Sequence, residues 1–237
     1  MQLQAVVFDL DNTLLDFLRM KRMASEEAAR AMIAAGADFR FLPDEAGDIL
    51  FGEYLEDIEG DRVFERFLKK HHQQKLMLSQ HTVDKITAAA VNAYQKAKLL
   101  HLEPYPGVRR TLLRLARMGI RMGVVTDAPR FKAYQRLDAS GLVDYFDFVV
   151  THTDHGEVKP AERPFREALE LLGLPPQAVL MVGDWPDRDM EGAHAVGMPT
   201  AWARYGRPHH DPAPEADFVL ERFSDLARVV GLHAKAV

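Results

Sequence analysis

The sequence has no cysteine among its 237 residues. That excludes disulfide bonds and thiolate metal sites, and it leaves the redox compartment open. Long apolar runs are missing too: no stretch suffices to span a bilayer, so no membrane partner is expected. No charged-then-apolar leader precedes the first strand-like run, and the expected location is the cytoplasm. Surplus charge is small. Thirty basic against 35 acidic side chains give a net charge of -5, which offers no electrostatic reason to bind nucleic acid or anionic lipid. What is present is ordinary for a soluble globular protein, 47% hydrophobic and 27% charged, and the length allows one domain or one plus a small accessory.

The chain divides by pattern. From Val108 onward apolar strand-like runs alternate with helical periodicity: Ile120 to Val125, Tyr145 to Val150, Ala178 to Val182, Thr200 to Ala203 and Phe218 to Leu220 are the expected strands. Helices are expected at Val108 to Met118, Pro129 to Ala139, Pro164 to Leu172, Asp189 to Val196 and Leu226 to Val230. Such alternation predicts an α/β fold, a doubly wound parallel sheet with helices on both faces. Between Asp16 and Leu102 no strand pattern is found. Helical periodicity runs through Phe17 to Ala35, Pro43 to Leu55, Val63 to Leu68 and Thr82 to Leu100, with Gly60-Asp61 as a break. The expectation is an α/β core from 1–15 and 103–237, interrupted by a small all-helical domain at 16–102. Pro104-Tyr105-Pro106-Gly107 marks the return.

Chemistry begins at Ala5-Val6-Val7-Phe8-Asp9-Leu10-Asp11-Asn12-Thr13. The apolar run does not alternate, which fits a strand buried on both faces, and it stops at two aspartates one residue apart. In parallel sheets the working groups sit beyond the carboxyl ends of the strands. At period two, Asp9 and Asp11 start on the same side and can converge on one ligand. Two like charges so close need a cation or a shared proton, which points to a Mg²⁺ site. A surface DxD capping a turn is the competing reading.

This stretch resembles the first motif of the haloacid dehalogenase-like (HAD) hydrolase superfamily, hhhhDxDx[TV]. The resemblance implies that Asp9 is a nucleophile forming an aspartyl-phosphate. It also implies that Asp11 is the general acid/base and lends its backbone carbonyl to Mg²⁺. Val124-Val125-Thr126-Asp127 resembles the second motif, in which the Thr126 hydroxyl binds a phosphoryl oxygen. Many relatives have Asn where this chain has Asp127. A carboxylate repels phosphate, so its side chain is expected to turn toward a backbone donor, while its N–H can still serve the substrate. Taken alone, a Thr at a strand end is a helix cap. Gly156-Glu157-Val158-Lys159-Pro160 resembles the third motif, which implies that Lys159 balances charge at the nucleophile and holds a phosphoryl oxygen. Its competing reading is a solvated surface lysine. Gly183-Asp184-Trp185-Pro186-Asp187-Arg188-Asp189-Met190-Glu191-Gly192-Ala193 resembles the fourth motif, GDxxxxDhxGA, whose acids, here Asp184 and Asp189, complete the Mg²⁺ site. Gly183 is expected to allow a tight turn there.

The large gap between Asp11 and Thr126 resembles members with a helical cap inserted after the first motif. Haloacid dehalogenases lack an acid two residues past the nucleophile; Asp11 supplies one, which favours delivery of a proton to a leaving alkoxide. Asn12 replaces a glycine of the familiar phosphatase version, and Asn tolerates left-handed geometry. The implied activity is a Mg²⁺-dependent phosphatase acting on a small phosphorylated metabolite. A phosphosugar mutase shares every motif, and a binding module with a vestigial site is the reading from another class. His152 and His155 could line the pocket or occupy a surface turn; His71-His72 and His209-His210 read as solvated loops. Neither the substrate nor the oligomeric state is legible.

Overall fold

Strand β1 (Ala5–Phe8) has all four residues buried, which is why its apolar run shows no alternation. The structure, a computed structural model, describes residues 2–56, 62–73, 78–207 and 215–233. Gly60, Asp61, His209, His210 and the His155 side chain, all singled out in the sequence, lie outside the described set. The chain forms two compact units, Phe17–Leu102 and Met1–Asp16 with Glu103–Val237.

The unit Phe17–Leu102 contains helices α1 (Phe17–Ala34), α2 (Pro43–Glu56), α3 (Val63–His71) and α4 (Gln80–His101). Several are short enough to be marginal alone and hold by burying one face each. Ala24, Ala28 and Met32 of α1 meet Leu50 of α2, Phe67 and Leu68 of α3, and Ile86 and Ala90 of α4 in one core. Burial of a side chain the size of Phe67 or Leu68 contributes about 1.5–3 kcal/mol. Ser79 caps α4, its Oγ accepting from the Thr82 N–H at 3.2 Å. Lys21 is buried in this unit, and its Nζ donates to Tyr94 Oη at 2.8 Å and to Tyr54 Oη.

The second unit carries a sheet of six strands among the described residues. β2 (Arg121–Thr126), β3 (Phe148–Thr151), β4 (Val179–Gly183), β5 (Thr200–Ala203) and β6 (Phe218–Leu220) join β1 in the order β3-β2-β1-β4-β5-β6. Every pairing is parallel. Helices α5 (Val108–Arg117), α6 (Arg130–Ala139), α7 (His152–His155), α8 (Glu162–Leu172), α9 (Pro186–Ala195) and α10 (Leu226–His233) connect and flank the strands. Ala5 and Val7 face Phe165, Ala168 and Ala193 of α8 and α9. Phe8 points the other way and stacks on Phe223, with Phe146 edge-on. The doubly wound α/β fold expected from the alternation is the one observed. No helix among the described residues is long and apolar enough to cross a membrane.

Two element starts differ most from the pattern. Val143–Tyr145 is a single 3₁₀ turn, and β3 starts at Phe148. The N–H groups of Tyr145 and Phe146 bond locally to Leu142 and Val143; pairing toward β2 begins at Asp147, whose N–H donates to Met122 O. Helix α9 starts at Pro186, not Asp189, because Asp189 reaches back and its Oδ2 accepts from the Trp185 N–H at 3.0 Å. Proline at the first helical position costs no hydrogen bond.

Candidate active site

The strand order reverses between β1 and β4, which leaves a crevice beyond their carboxyl ends. The Asp9 N–H donates to Val182 O at 2.8 Å, so Asp9 emerges level with Gly183 and next to Asp184. Asp189, on the first turn of α9, completes a buried group: carboxylate oxygens of Asp9, Asp184 and Asp189 lie within 4.8 Å of one another. Lys159 Nζ donates to Asp9 Oδ1 at 2.5 Å and to Asp189 Oδ1 at 2.6 Å. It is 3% exposed, so it is no surface lysine. Four of the residues singled out in the sequence therefore meet at one point.

The backbone around them is shaped for close approach. Gly183 does not adopt a left-handed turn; a Cβ there would collide with the Asp189 carboxylate, and its role is to leave that space. Asn12 does take the left-handed conformation, with φ of 62°. Gly206 packs so tightly on the Asn12 carbonyl that any side chain would strike it. Thr13 Oγ1 donates to Asp184 Oδ1 at 3.4 Å.

Burial works to lower the Lys159 pKa and is the largest influence on it, but the charges of Asp189, Asp9 and Asp127 outweigh it and raise it. Lys159 is thus a permanent cation. Burial first, then the charges of Asp9 and Asp189, holds the Asp184 carboxyl well above the carboxylate range. Asp189 is pushed up to about 6, chiefly by burial. Like charges about 4 Å apart at an effective dielectric of about 20 repel by about 4 kcal/mol, so a second cation would stabilise the ionised group strongly. Asp184 Oδ2 is buried with no hydrogen-bond partner among the described residues; Arg207 Nε stands 3.6 Å away. An all-carboxylate oxygen donor set of this kind fits a hard divalent cation.

The remaining residues fall around this centre. Asp11 has its Oδ2 against Arg136 Nη1, so its carboxylate is outside the three-acid group. Thr126 ends β2 beside β1, and its Oγ1 accepts from the Ala128 N–H at 3.2 Å, a local turn contact. Asp127 Oδ1 accepts from the Lys159 backbone N–H at 2.9 Å and Oδ2 from Arg188 Nη1 at 3.0 Å. The carboxylate thus ties the Lys159 segment to the end of β2. His152 Nδ1 lies 2.8 Å from the Asp127 carbonyl oxygen, and the residue opens α7 rather than a simple turn.

Sequence reasoning missed three arginines. Arg188 and Arg207 both lie over the Trp185 ring, at 4.0 and 3.9 Å from its centroid, beside the acid group. Of these two, the Arg188 position, inside the fourth motif, carried a sequence signal. Arg136 carried one in the helical period: it falls three residues after the buried Ala133, on the inward side of α6.

A family model described as haloacid dehalogenase-like hydrolase matches residues 3–197. A curated relative from Methanopyrus kandleri, glyceraldehyde 3-phosphate phosphatase, is 34% identical over 242 residues, covering 98% of this chain and 99% of its own. A protein of the same name from Pyrococcus furiosus is 31% identical over 97% of this chain and 93% of its own. Among solved structures, a HAD phosphatase from Thermococcus onnurineus superposes with a TM-score of 0.63 at 26% identity, covering 100% of both chains.

Proposed function

This chain belongs to the haloacid dehalogenase-like hydrolase family, and we propose that it is a Mg²⁺-dependent phosphatase that hydrolyses a small phosphate monoester through an aspartyl-phosphate. The observation that carries the reading is the buried group of Asp9, Asp184 and Asp189 with Lys159 between two of them. Asp9, Asp184 and Asp189 would hold the ion by their carboxylates, with the Asp11 backbone carbonyl beside them. Bound there, Mg²⁺ supplies positive charge that offsets the acids and the incoming phosphoryl oxygens.

The rest follows from the side chains. An Asp9 carboxylate oxygen attacks phosphorus in line while the ester P–O bond breaks. Asp11 gives its proton to the leaving oxygen, so an alcohol departs and Asp9 carries the phosphoryl group. Asp11 then takes a proton from water as the water oxygen bonds phosphorus and the Asp9–phosphorus bond breaks. Inorganic phosphate leaves, and both aspartates return to their starting states. Lys159 keeps its protons throughout and holds a phosphoryl oxygen, with the Thr126 hydroxyl and the Asp127 N–H as further donors. The helical unit 17–102 is the specificity element in this reading.

Glyceraldehyde 3-phosphate is the first substrate to test, because two curated relatives spanning nearly the whole chain carry that activity in their names. The assay is phosphate release from glyceraldehyde 3-phosphate and from p-nitrophenyl phosphate, in Mg²⁺, Ca²⁺ and EDTA. The expected outcome is release in Mg²⁺, much less in Ca²⁺, whose larger shell seats the phosphoryl group badly, and none in EDTA. Full activity in EDTA would overturn the metal assignment. A sugar phosphate isomer as product, in place of free phosphate, would make the enzyme a mutase.

A further inference from the structure

Helix α6 carries three cations, and two of them, Arg130 and Lys132, are exposed. The third behaves differently. Arg136 sits between the buried Ala133 and Ser140 on the inward side of the helix, and only 12% of its side chain is exposed. Long side chains on a helix lean toward its N-terminus, and α6 begins just past the carboxyl end of β2. Arg136 therefore reaches back up toward the strand ends, where its Nη1 donates to Oδ2 of Asp11. The two residues are 125 apart in sequence, and nothing in the four motifs links them.

A guanidinium can only donate hydrogen bonds. The Asp11 oxygen it holds is therefore an acceptor, and a proton on that oxygen would collide with the donor. We propose that Arg136 is a positioning residue for phosphoryl transfer: it clamps Asp11 Oδ2 and so makes Oδ1 the atom that gives and takes the proton. The proposal rests on the reading of Asp11 as the acid/base. In the first half-reaction the Oδ1–H bond breaks as the ester P–O bond breaks, and the proton goes to the leaving oxygen. In the second, Oδ1 receives a proton from the attacking water. Arg136 changes neither charge nor bonding. Its planar, pre-organised guanidinium suits this role better than a lysine ammonium, which would leave the carboxylate free to rotate.

The test is the leaving-group dependence of kcat/KM, which covers only the steps through phosphoryl transfer to Asp9. Wild type, Arg136→Gln and Arg136→Lys are compared on an alkyl ester, glyceraldehyde 3-phosphate, and an aryl ester, p-nitrophenyl phosphate. A p-nitrophenolate departs without a proton, and an alkoxide does not. With Arg136→Gln, kcat/KM should fall at least about 100-fold on the alkyl ester and less than about fivefold on the aryl ester, with Arg136→Lys in between. An equal fall on both esters, or no fall on either, overturns the proposal.

Because Arg136→Gln could destabilise α6, a second comparison uses Asp11→Asn with and without Arg136→Gln. Single-turnover release of p-nitrophenolate is measured alongside melting. If Arg136 acts through Asp11, the second substitution should change the rate less than about threefold. A further drop of about tenfold or more, with melting unchanged, shows that Arg136 acts elsewhere. Failure of wild type to release phosphate from either ester would sink the phosphatase reading itself, a result separate from these.

Discussion

Asp127 turns its carboxylate onto a backbone donor, the Lys159 N–H at 2.9 Å. As a carboxylate beside a phosphate site it has the wrong charge, and the structure spends it on two donors, the Lys159 N–H and Arg188. Charge-assisted contacts of this type, partly exposed here, contribute about 1–3 kcal/mol together. Asp127→Ala should accordingly lower the melting temperature by several degrees and reduce kcat/KM about tenfold, since the backbone N–H survives and only the seating of Lys159 loosens. A loss above about a thousandfold with unchanged melting would mean that the side chain itself meets substrate. Asp9 and Asp184 could be read because each ends an apolar strand run, whereas Lys159 and Asp189 stand in polar stretches and were legible only through the motifs they resemble. Arg136 could not be read that way. On sequence it is one of several cations in a polar helix, and only the fold brings it to Asp11.

At the level of elements, the strands were legible because β1 and β4 are buried on both faces and carry no polar residue before they end. The start of α9 was not, because Asp189 acts both in the acid group and as the acceptor for the Trp185 N–H. That dual use makes the β4–α9 junction sensitive to a single methyl group. Gly183→Ala should push Asp189 out of place, costing about 1–3 kcal/mol of stability and weakening Mg²⁺ binding measured by calorimetry. Unchanged Mg²⁺ affinity would show that Asp189 is not needed to hold the ion. In the helical unit, burial works to raise the Glu53 pKa, but hydrogen bonds from Lys70 and His71 outweigh it and hold it below the ordinary 4.5. A carboxyl depressed on folding stabilises the folded state above its unfolded pKa, and that gain is lost as pH falls through the folded value. The stabilities of wild type and Glu53→Gln, measured by melting, should therefore differ at pH 7 by less than about 1 kcal/mol and converge as pH falls below 4.5. A constant gap across that range would remove Glu53 from the acid response.

At the scale of the whole molecule, two units with separate cores are threaded on one chain, and all the grouped acids belong to the unit that carries the sheet. Replacing 17–102 with a short Gly/Ser linker should leave a sheet unit that melts cooperatively and still hydrolyses p-nitrophenyl phosphate slowly. Its preference among phosphorylated metabolites should be lost; a soluble truncation that keeps it would acquit the helical unit of any role in selection. The step on which the chemistry turns, however, is covalent. It is tested most directly by acid-quenching the enzyme during turnover of glyceraldehyde 3-phosphate in Mg²⁺, reducing it with borohydride, and sequencing the peptide that contains Asp9 by mass spectrometry. An acyl phosphate at Asp9 is reduced to homoserine, so homoserine at position 9, absent when EDTA replaces Mg²⁺, is the result the account requires. Steady phosphate release with aspartate 9 recovered unchanged, or with the modification at another residue, would contradict it.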